Sequence, residues 1–273
     1  MQSAAGAIAL LDTSLEVELR ELGRASPMAE FHVADGLAWC LGAVPGAVVY
    51  RTGLDSASAD GVIADRLRAF DAVGVAITWW AGPRDRPEEL RRHLAAANFD
   101  LADDEAGMVA DLQQLVENLP VPSGLEFAMT GADERLDERV IDEWLDVAEL
   151  THGWPPERRD IRRTLYFTDE RRPRPWRHVV ARLNGTPVAV SRILLHERTA
   201  MVHGVATVPD ARRRGIGTAV TLRALQLGRD HGATVAVLQA SSEGQGPYRR
   251  LGFQQVASYG RFIRRAQHER VAV

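Results

Sequence analysis

The amino-acid sequence predicts an α/β fold of layered α+β character, in which two tandem units each pack helices on a mixed central β-sheet. Three observations predict it. The run Val205-Ala206-Thr207-Val208-Pro209 reads as a buried strand with a proline stop, and a basic glycine turn leads from it into a helix. A second apolar run, Val235–Ser241, follows that helix, as a strand–helix–strand crossover requires. A worn version of the same pattern lies between Val75 and Phe99, on the far side of the linker-like Asn118-Leu119-Pro120-Val121-Pro122-Ser123-Gly124. With 273 residues, 45% of them hydrophobic, the chain has material for two cores. We divide it into residues 1–122 and 123–273.

In the first half, Val75–Trp80 reads as a strand followed by Gly82-Pro83. Glu88–Ala97 is a short helix running into Asn98-Phe99, and Met108–Leu112 is the strand after it. In the second half, Leu125–Thr130 is the first strand. Asp133–Leu150 is a helix with Leu136, Val140, Trp144 and Val147 on one face, and Pro155–Phe167 is a second helix. Val179–Leu183 and Val188–Leu195 form a hairpin through Asn184-Gly185, since that dipeptide suits a turn with positive φ at both positions. Met201–Val208 is the next strand. The helix after the glycine turn carries Ile216, Val220, Ala224 and Leu227 at helical spacing, and Gly232 stops it.

The turn itself points to chemistry. Gly215 and Gly217 permit positive φ and close backbone approach. The first N–H groups of a helix lack internal partners, and with the helix dipole they favour an anion. Arg212, Arg213 and Arg214 add fixed positive charge.

Arg212-x-x-Gly215-x-Gly217 after a Val-Ala-Thr-Val-Pro strand resembles the Arg/Gln-x-x-Gly-x-Gly/Ala acyl-CoA signature of the GNAT superfamily of N-acyltransferases. About thirty residues on, Tyr248-Arg249-Arg250-Leu251-Gly252-Phe253 resembles that family's closing Tyr-x-x-x-Gly-Phe segment. The resemblance covers roughly residues 125–265. The first half resembles a degenerate repeat of the same unit: no such turn precedes Val75, and Leu94 stands where Tyr248 would align.

The resemblance implies an acyl donor, acetyl-CoA or another acyl-CoA, with its diphosphate over Arg212–Thr218, Ile216 included. It implies a strand at Val205, Ala206, Thr207 and Val208 splayed from its neighbour, with free backbone groups for the pantetheine arm. A backbone N–H near Val205 or Ala206 would polarise the thioester carbonyl, and Tyr248 would protonate the departing sulfur. Ser241 stands where the family often has an asparagine that bonds the cofactor arm. An attacking amine must be unprotonated and held against the carbonyl carbon. The candidates for the base are His203, Glu197, His152 and Glu149, with a water chain as the alternative. The acceptor, a primary amine of a small molecule or peptide, would lie against the first two helices of the second half. Trp144, Glu149, His152 and Trp154 are its candidate contacts, with Tyr166 and Trp176 as further aromatics. Eight acids on the first of those helices, Asp133, Glu134, Asp137, Glu138, Asp142, Glu143, Asp146 and Glu149, suggest a rim attractive to a cation. The leading expectation is direct transfer of an acetyl or other short acyl group. The alternatives are a non-catalytic acyl-CoA sensor or scaffold, and an enzyme using a longer or carrier-protein-bound acyl donor.

Composition bounds the partners. Formal net charge is -4 and the pI is about 6.1, so no basic excess marks a nucleic-acid binder. All 33 basic residues are arginine. No metal-ligand spacing occurs. No apolar stretch has the length of a membrane span, and the apolar run Ala7–Leu11 lacks the basic start of a signal peptide. One cysteine, Cys40, excludes a disulfide framework and fits a reducing cytoplasm. Monomer and homodimer are both open.

Overall fold

The computed structural model describes residues 3–130, 137–154, 156, 159–167 and 175–266, with the side chains of 165–167 outside that description. The elements, in chain order, are α1 (Ala4–Gly23), β1 (Glu30–Ala34), β2 (Leu37–Leu41), β3 (Ala47–Thr52), α2 (Ala59–Val73), β4 (Ile77–Ala81), α3 (Leu90–Ala96) and β5 (Asp100–Asp111). Then come β6 (Leu125–Thr130), α4 (Glu138–His152), α5 (Arg159–Phe167), β7 (Trp176–Leu183), β8 (Thr186–His196) and β9 (Thr199–Thr207). A 3-10 turn (Pro209–Ala211) leads to α6 (Ile216–Asp230), β10 (Val235–Ala240), α7 (Gln245–Arg250) and β11 (Gln254–Arg264). This is the mixed α/β architecture expected.

The chain groups into two compact units. The first comprises Leu15–Gly107, Gln239–Ser242 and Val256–Val273; the second comprises Met1–Ser14, Met108–Leu238 and Glu243–Gln255. The grouping differs from a cut at residue 122/123 because β11, near the end of the chain, pairs antiparallel with β4, from Gly260 opposite Ala81 to Arg264 opposite Ile77.

In the first unit the strand order is β1-β2-β3-β4-β11-β5. The β1–β2 hairpin turns through Asp35 and Gly36, at φ 53° and 74°. β3 and β4 run parallel through the crossover α2. Trp39, Val49, Ile63, Phe70, Trp79, Leu94, Phe99 and Phe262 meet in its core. Cys40 is fully buried nearby, and burial pushes its thiol up to about 12, so it is a packed, inert group.

In the second unit the order is the end of β5, then β10-β9-β8-β7-β6. β6, β7, β8 and β9 are antiparallel in turn, with Asn184 and Gly185 at φ 50° and 81° between β7 and β8. α6 carries the chain across to β10, which lies parallel to β9. α4 packs on β7, β8 and β9, burying Val140, Ile141, Trp144 and Leu145 against Val180, Val190 and Ala206.

The internal repeat holds at the level of single hydrogen bonds. Phe99 N–H donates to Leu94 O and Phe253 N–H donates to Tyr248 O, each at 3.1 Å, with Asn98 and Gly252 at φ 62° and 100° before them. The order β3-α2-β4-α3-β5 thus repeats as β9-α6-β10-α7-β11. Some boundaries shift. The strand expected over Met108–Leu112 begins at Asp100, because its acidic first half is exposed or half-buried and carries no apolar pattern. In the helices expected over Asp133–Leu150 and Pro155–Phe167, residues 133–136, 155, 157 and 158 lie outside the described residues.

Candidate active site

The site is built on β9. Residue Val190 of β8 faces Ala206, and Arg192 faces His203, so β9 carries one extra residue there, a β-bulge. Gly204, at φ +56°, makes the bulge sterically cheap. A Cβ at Gly204 would stand 3.3 Å from Arg192 Nε and 3.4 Å from Trp144 Cζ2. Val208 N–H donates to Val188 O at 2.9 Å, so by strand alternation Ala206 also turns its backbone groups to β8. Val205 and Thr207 then face the other way, towards the β10 side. The parallel ladder with β10 reaches only Met201 opposite Val237. Beyond it the strands are unpaired, as the resemblance implies, and Val205 rather than Ala206 presents its N–H to the gap.

The turn after β9 is exposed from Arg212 to Gly215. Arg213 and Gly215 take left-handed φ of 61° and 79°. Arg212 Nε donates to Thr207 O at 3.0 Å, which locks the turn to the strand. Among the described residues no side chain caps α6; its first internal bond at this end is Ala219 N–H to Gly215 O. The N–H groups of Ile216, Gly217 and Thr218 therefore point out of the helix start beside Arg213 and Arg214. A Cβ at Gly217 would lie 3.1 Å from Thr207 Oγ1, so strand and helix start approach more closely than a larger residue allows. Arg250 Nη2 stands 3.5 Å from Thr218 Oγ1, adding a fourth guanidinium that the turn motif does not contain.

Tyr248, on α7, is half-buried and sets its ring edge-on to Phe253, centroids 5.9 Å apart. Burial pushes its hydroxyl up to about 12. Ser241 follows the last residue of β10 and is exposed; it groups with the first unit.

The base candidates separate. Glu197 sits in the β8–β9 turn at φ 51° and is exposed. Seven residues of strand from Thr199 to Ala206 span about 23 Å, so Glu197 stands at the wrong end of β9 for this chemistry. His203 lies opposite Arg192, two residues before Val205, with its ring edge-on to Trp176 at 5.7 Å. His152, in the last turn of α4, stacks on Trp154 at 4.7 Å. Burial, aided by the nearby Arg192 cation, holds its pKa below the ordinary histidine value, so it is neutral at pH 7.

Two acceptor candidates do other work. Trp144 is 1% exposed, deep in the core under β8 and β9, and offers no face to an acceptor. Glu149 accepts from Arg159 at 2.7 Å and from Arg162 at 2.9 Å. The acidic rim is neutralised in the same way: Asp142 pairs with Arg159 and Arg163, Asp146 with Arg159, Glu138 with Arg163, and Glu143 with Arg139 and Arg182. Asp137 caps α4 through Arg139 N–H. Asp133 and Glu134, and the side chain of Tyr166, lie outside the described residues. Arg162 covers the half-buried Trp154 at 4.9 Å. Trp176 and the buried Arg192, 4.5 Å from its ring, line the bulge from the β7–β8 side. Gly204, Arg192 and Arg250 were not singled out by sequence; a glycine inside a strand pattern is a bulge signal, whereas nothing local marks a buried arginine.

Comparison with known proteins agrees with this architecture. Residues 140–253 match the model of the Acetyltransferase (GNAT) family. A GCN5-related N-acetyltransferase from Kribbella flavida aligns over 96% of each chain, at 20% identity and TM-score 0.69. A tandem GNAT protein from the clavulanic acid biosynthesis pathway aligns over 91% of this chain and 87% of its own, at 14% identity and TM-score 0.62. A functionally unknown conserved protein from Staphylococcus epidermidis aligns over 87% and 94%, at 12% identity and TM-score 0.64. At these identities the likeness is one of fold, here the tandem GNAT-like fold. No curated protein matches the sequence significantly. Among the described residues no group of side chains could hold a metal ion, and no helix is long and apolar enough to cross a membrane.

Proposed function

We propose that the chain is an N-acyltransferase that moves an acetyl or other short acyl group from acyl-CoA directly to a primary amine, with the donor held by residues of the 123–273 half. The observation that carries this reading is the parting of β9 and β10 beside the uncapped, arginine-flanked start of α6. A diphosphate fits the N–H groups of Ile216, Gly217 and Thr218 with Arg213 and Arg214. An extended amide arm fits the outward backbone of Val205 and Thr207. Val205 N–H donates to the oxygen that becomes negative during attack.

Tyr248 supports the departing sulfur, though as a hydrogen-bond donor more than an acid. A hydroxyl near 12 gives its proton uphill to the thiolate of a thiol with pKa about 8.5. His152, neutral at pH 7, and His203 are the two bases the geometry retains. With the acids of α4 paired, the reading favours a neutral or singly charged amine over a polycation.

A screen of amines against acetyl-CoA, reading thiol release, tests the proposal. Turnover with one amine class supports it. CoA binding without turnover on any amine would instead establish a sensor or scaffold.

A further inference from the structure

β3 and β4 part as β9 and β10 do. Their parallel ladder ends with Val49 opposite Trp79, as the other ends with Met201 opposite Val237. Phe99 lies twenty residues after Trp79, whereas its counterpart Phe253 lies sixteen after Val237. Leu94 to Phe99 and Tyr248 to Phe253 are equally long, so the four additional residues fall between β4 and α3.

That longer connection folds back onto β3. The Asp85 carboxylate accepts from Thr52 N–H at 2.7 Å through Oδ1 and from Gly82 N–H at 2.6 Å through Oδ2. Arg86 N–H donates to Thr52 O at 3.0 Å, and Leu54 N–H donates to Arg86 O at 3.1 Å. Gly53 and Arg86 form a parallel bridge. Trp79 Nε1 donates to Thr52 Oγ1 at 3.0 Å from inside the core. Thr52–Leu54 stand three to five residues beyond the last parallel pair, where Gly204–Ala206 stand in the second unit. The segment leading to α2 holds Asp55, with Asp60 in the first helical turn, in place of the three arginines before α6. A carboxylate there repels a diphosphate.

We propose that the first unit's strand cleft is filled by the chain's own residues 85–86, which pair with the edge of β3 that corresponds to the edge β9 turns to an acyl donor, so that the protein takes up one donor per chain. Naming the second cleft as the donor's rests on the function proposed above; the occupancy of the first does not. The insertion supplies both the main-chain partner and, through Asp85, an anion for two N–H groups that would otherwise need one.

Amide hydrogen exchange on the full chain, read residue by residue by NMR with and without CoA, tests the proposal. The amides of Thr52, Leu54 and Gly82 are expected to be protected without CoA and unchanged when CoA saturates the protein. Asp85→Ala should speed exchange at Thr52 and Gly82 about tenfold to a hundredfold, leaving Val208 and Ala219 unmoved. If that variant does not fold, Asp85→Asn, whose single amide oxygen replaces one of two acceptors, must expose one of the two amides. Rapid exchange at Thr52 and Gly82 in the native chain, new protection there on adding CoA, unchanged exchange in the variants, or calorimetry showing two CoA sites per chain would each overturn it. Failure of CoA to bind at all would overturn the donor reading of the second unit while the exchange data still decide the occupancy of the first.

Discussion

Gly204→Ala is the sharpest test of the bulge. The position holds φ +56°, where a residue with a Cβ costs about 1–2 kcal/mol more than glycine. The new methyl would stand 3.3 Å from Arg192 Nε and 3.4 Å from Trp144 Cζ2. Trp144 is core and cannot retreat freely, so a further fraction of a kcal/mol goes into crowding; the sum is about 1–3 kcal/mol. That lowers the melting temperature by about 2–4 °C for each kcal/mol lost. The alternative to tolerating the strain is to let the bulge relax, and relaxation turns Val205 N–H away from the β10 side. Loss of one aimed donor typically lowers kcat about 10²–10³-fold. Thermal melts and steady-state kinetics with acetyl-CoA, run on the same preparation, separate the two effects. A variant that melts lower but keeps kcat within about twofold, with chemistry rate-limiting, would refute the claim that the bulge aims the donor.

Three further outcomes follow from the site. Gly217→Val, whose first carbon alone would lie 3.1 Å from Thr207 Oγ1, should weaken CoA binding at least about tenfold by calorimetry while far-ultraviolet dichroism stays unchanged. Tyr248→Phe should lower kcat about 10²-fold and leave the KM for acetyl-CoA nearly intact, since its bond strengthens only as charge grows on sulfur. His152 has a folded pKa below its ordinary value of about 6.5, so the unfolded chain binds more protons between the two; stability present above pH 6.5 is therefore lost as pH falls through that window. His152→Gln should flatten that part of the stability profile, and the acid limb of kcat/KM should vanish with it if His152 is the base.

The second unit was legible because its signals are local. Asn184-Gly185 fixes a hairpin, Pro209 stops a strand, and Gly215 and Gly217 sit where the backbone needs them. The acceptor side was misread because charge pattern does not reveal pairing. The acids of α4 look like a solvent-facing rim in one dimension, yet α5 supplies Arg159, Arg162 and Arg163 to the same face. Trp144 fits an apolar slot and a core equally well by helical spacing; only the register of β8 and β9 beneath it decides. In the first half, α1, the strands before α2 and α2 itself went unread, although Asp35-Gly36 is a hairpin signal of the same kind as Asn184-Gly185.

The first half's faintness has a physical cause in the same contacts. A cleft that receives a diphosphate must keep glycines and cations at a fixed spacing, because the ligand's charge and size leave no freedom there. A cleft closed by its own chain needs only an acceptor for two N–H groups and one stretch of paired backbone. Asp85 and the main chain of Arg86 meet that need, and backbone pairing places little demand on side-chain identity. The motif therefore dissolves in the first unit while Leu94, Asn98 and Phe99, which hold the core and the helix exit, keep the places of Tyr248, Gly252 and Phe253. What the repeat retains is the packing; what it drops is the part of the sequence that a phosphate would have dictated.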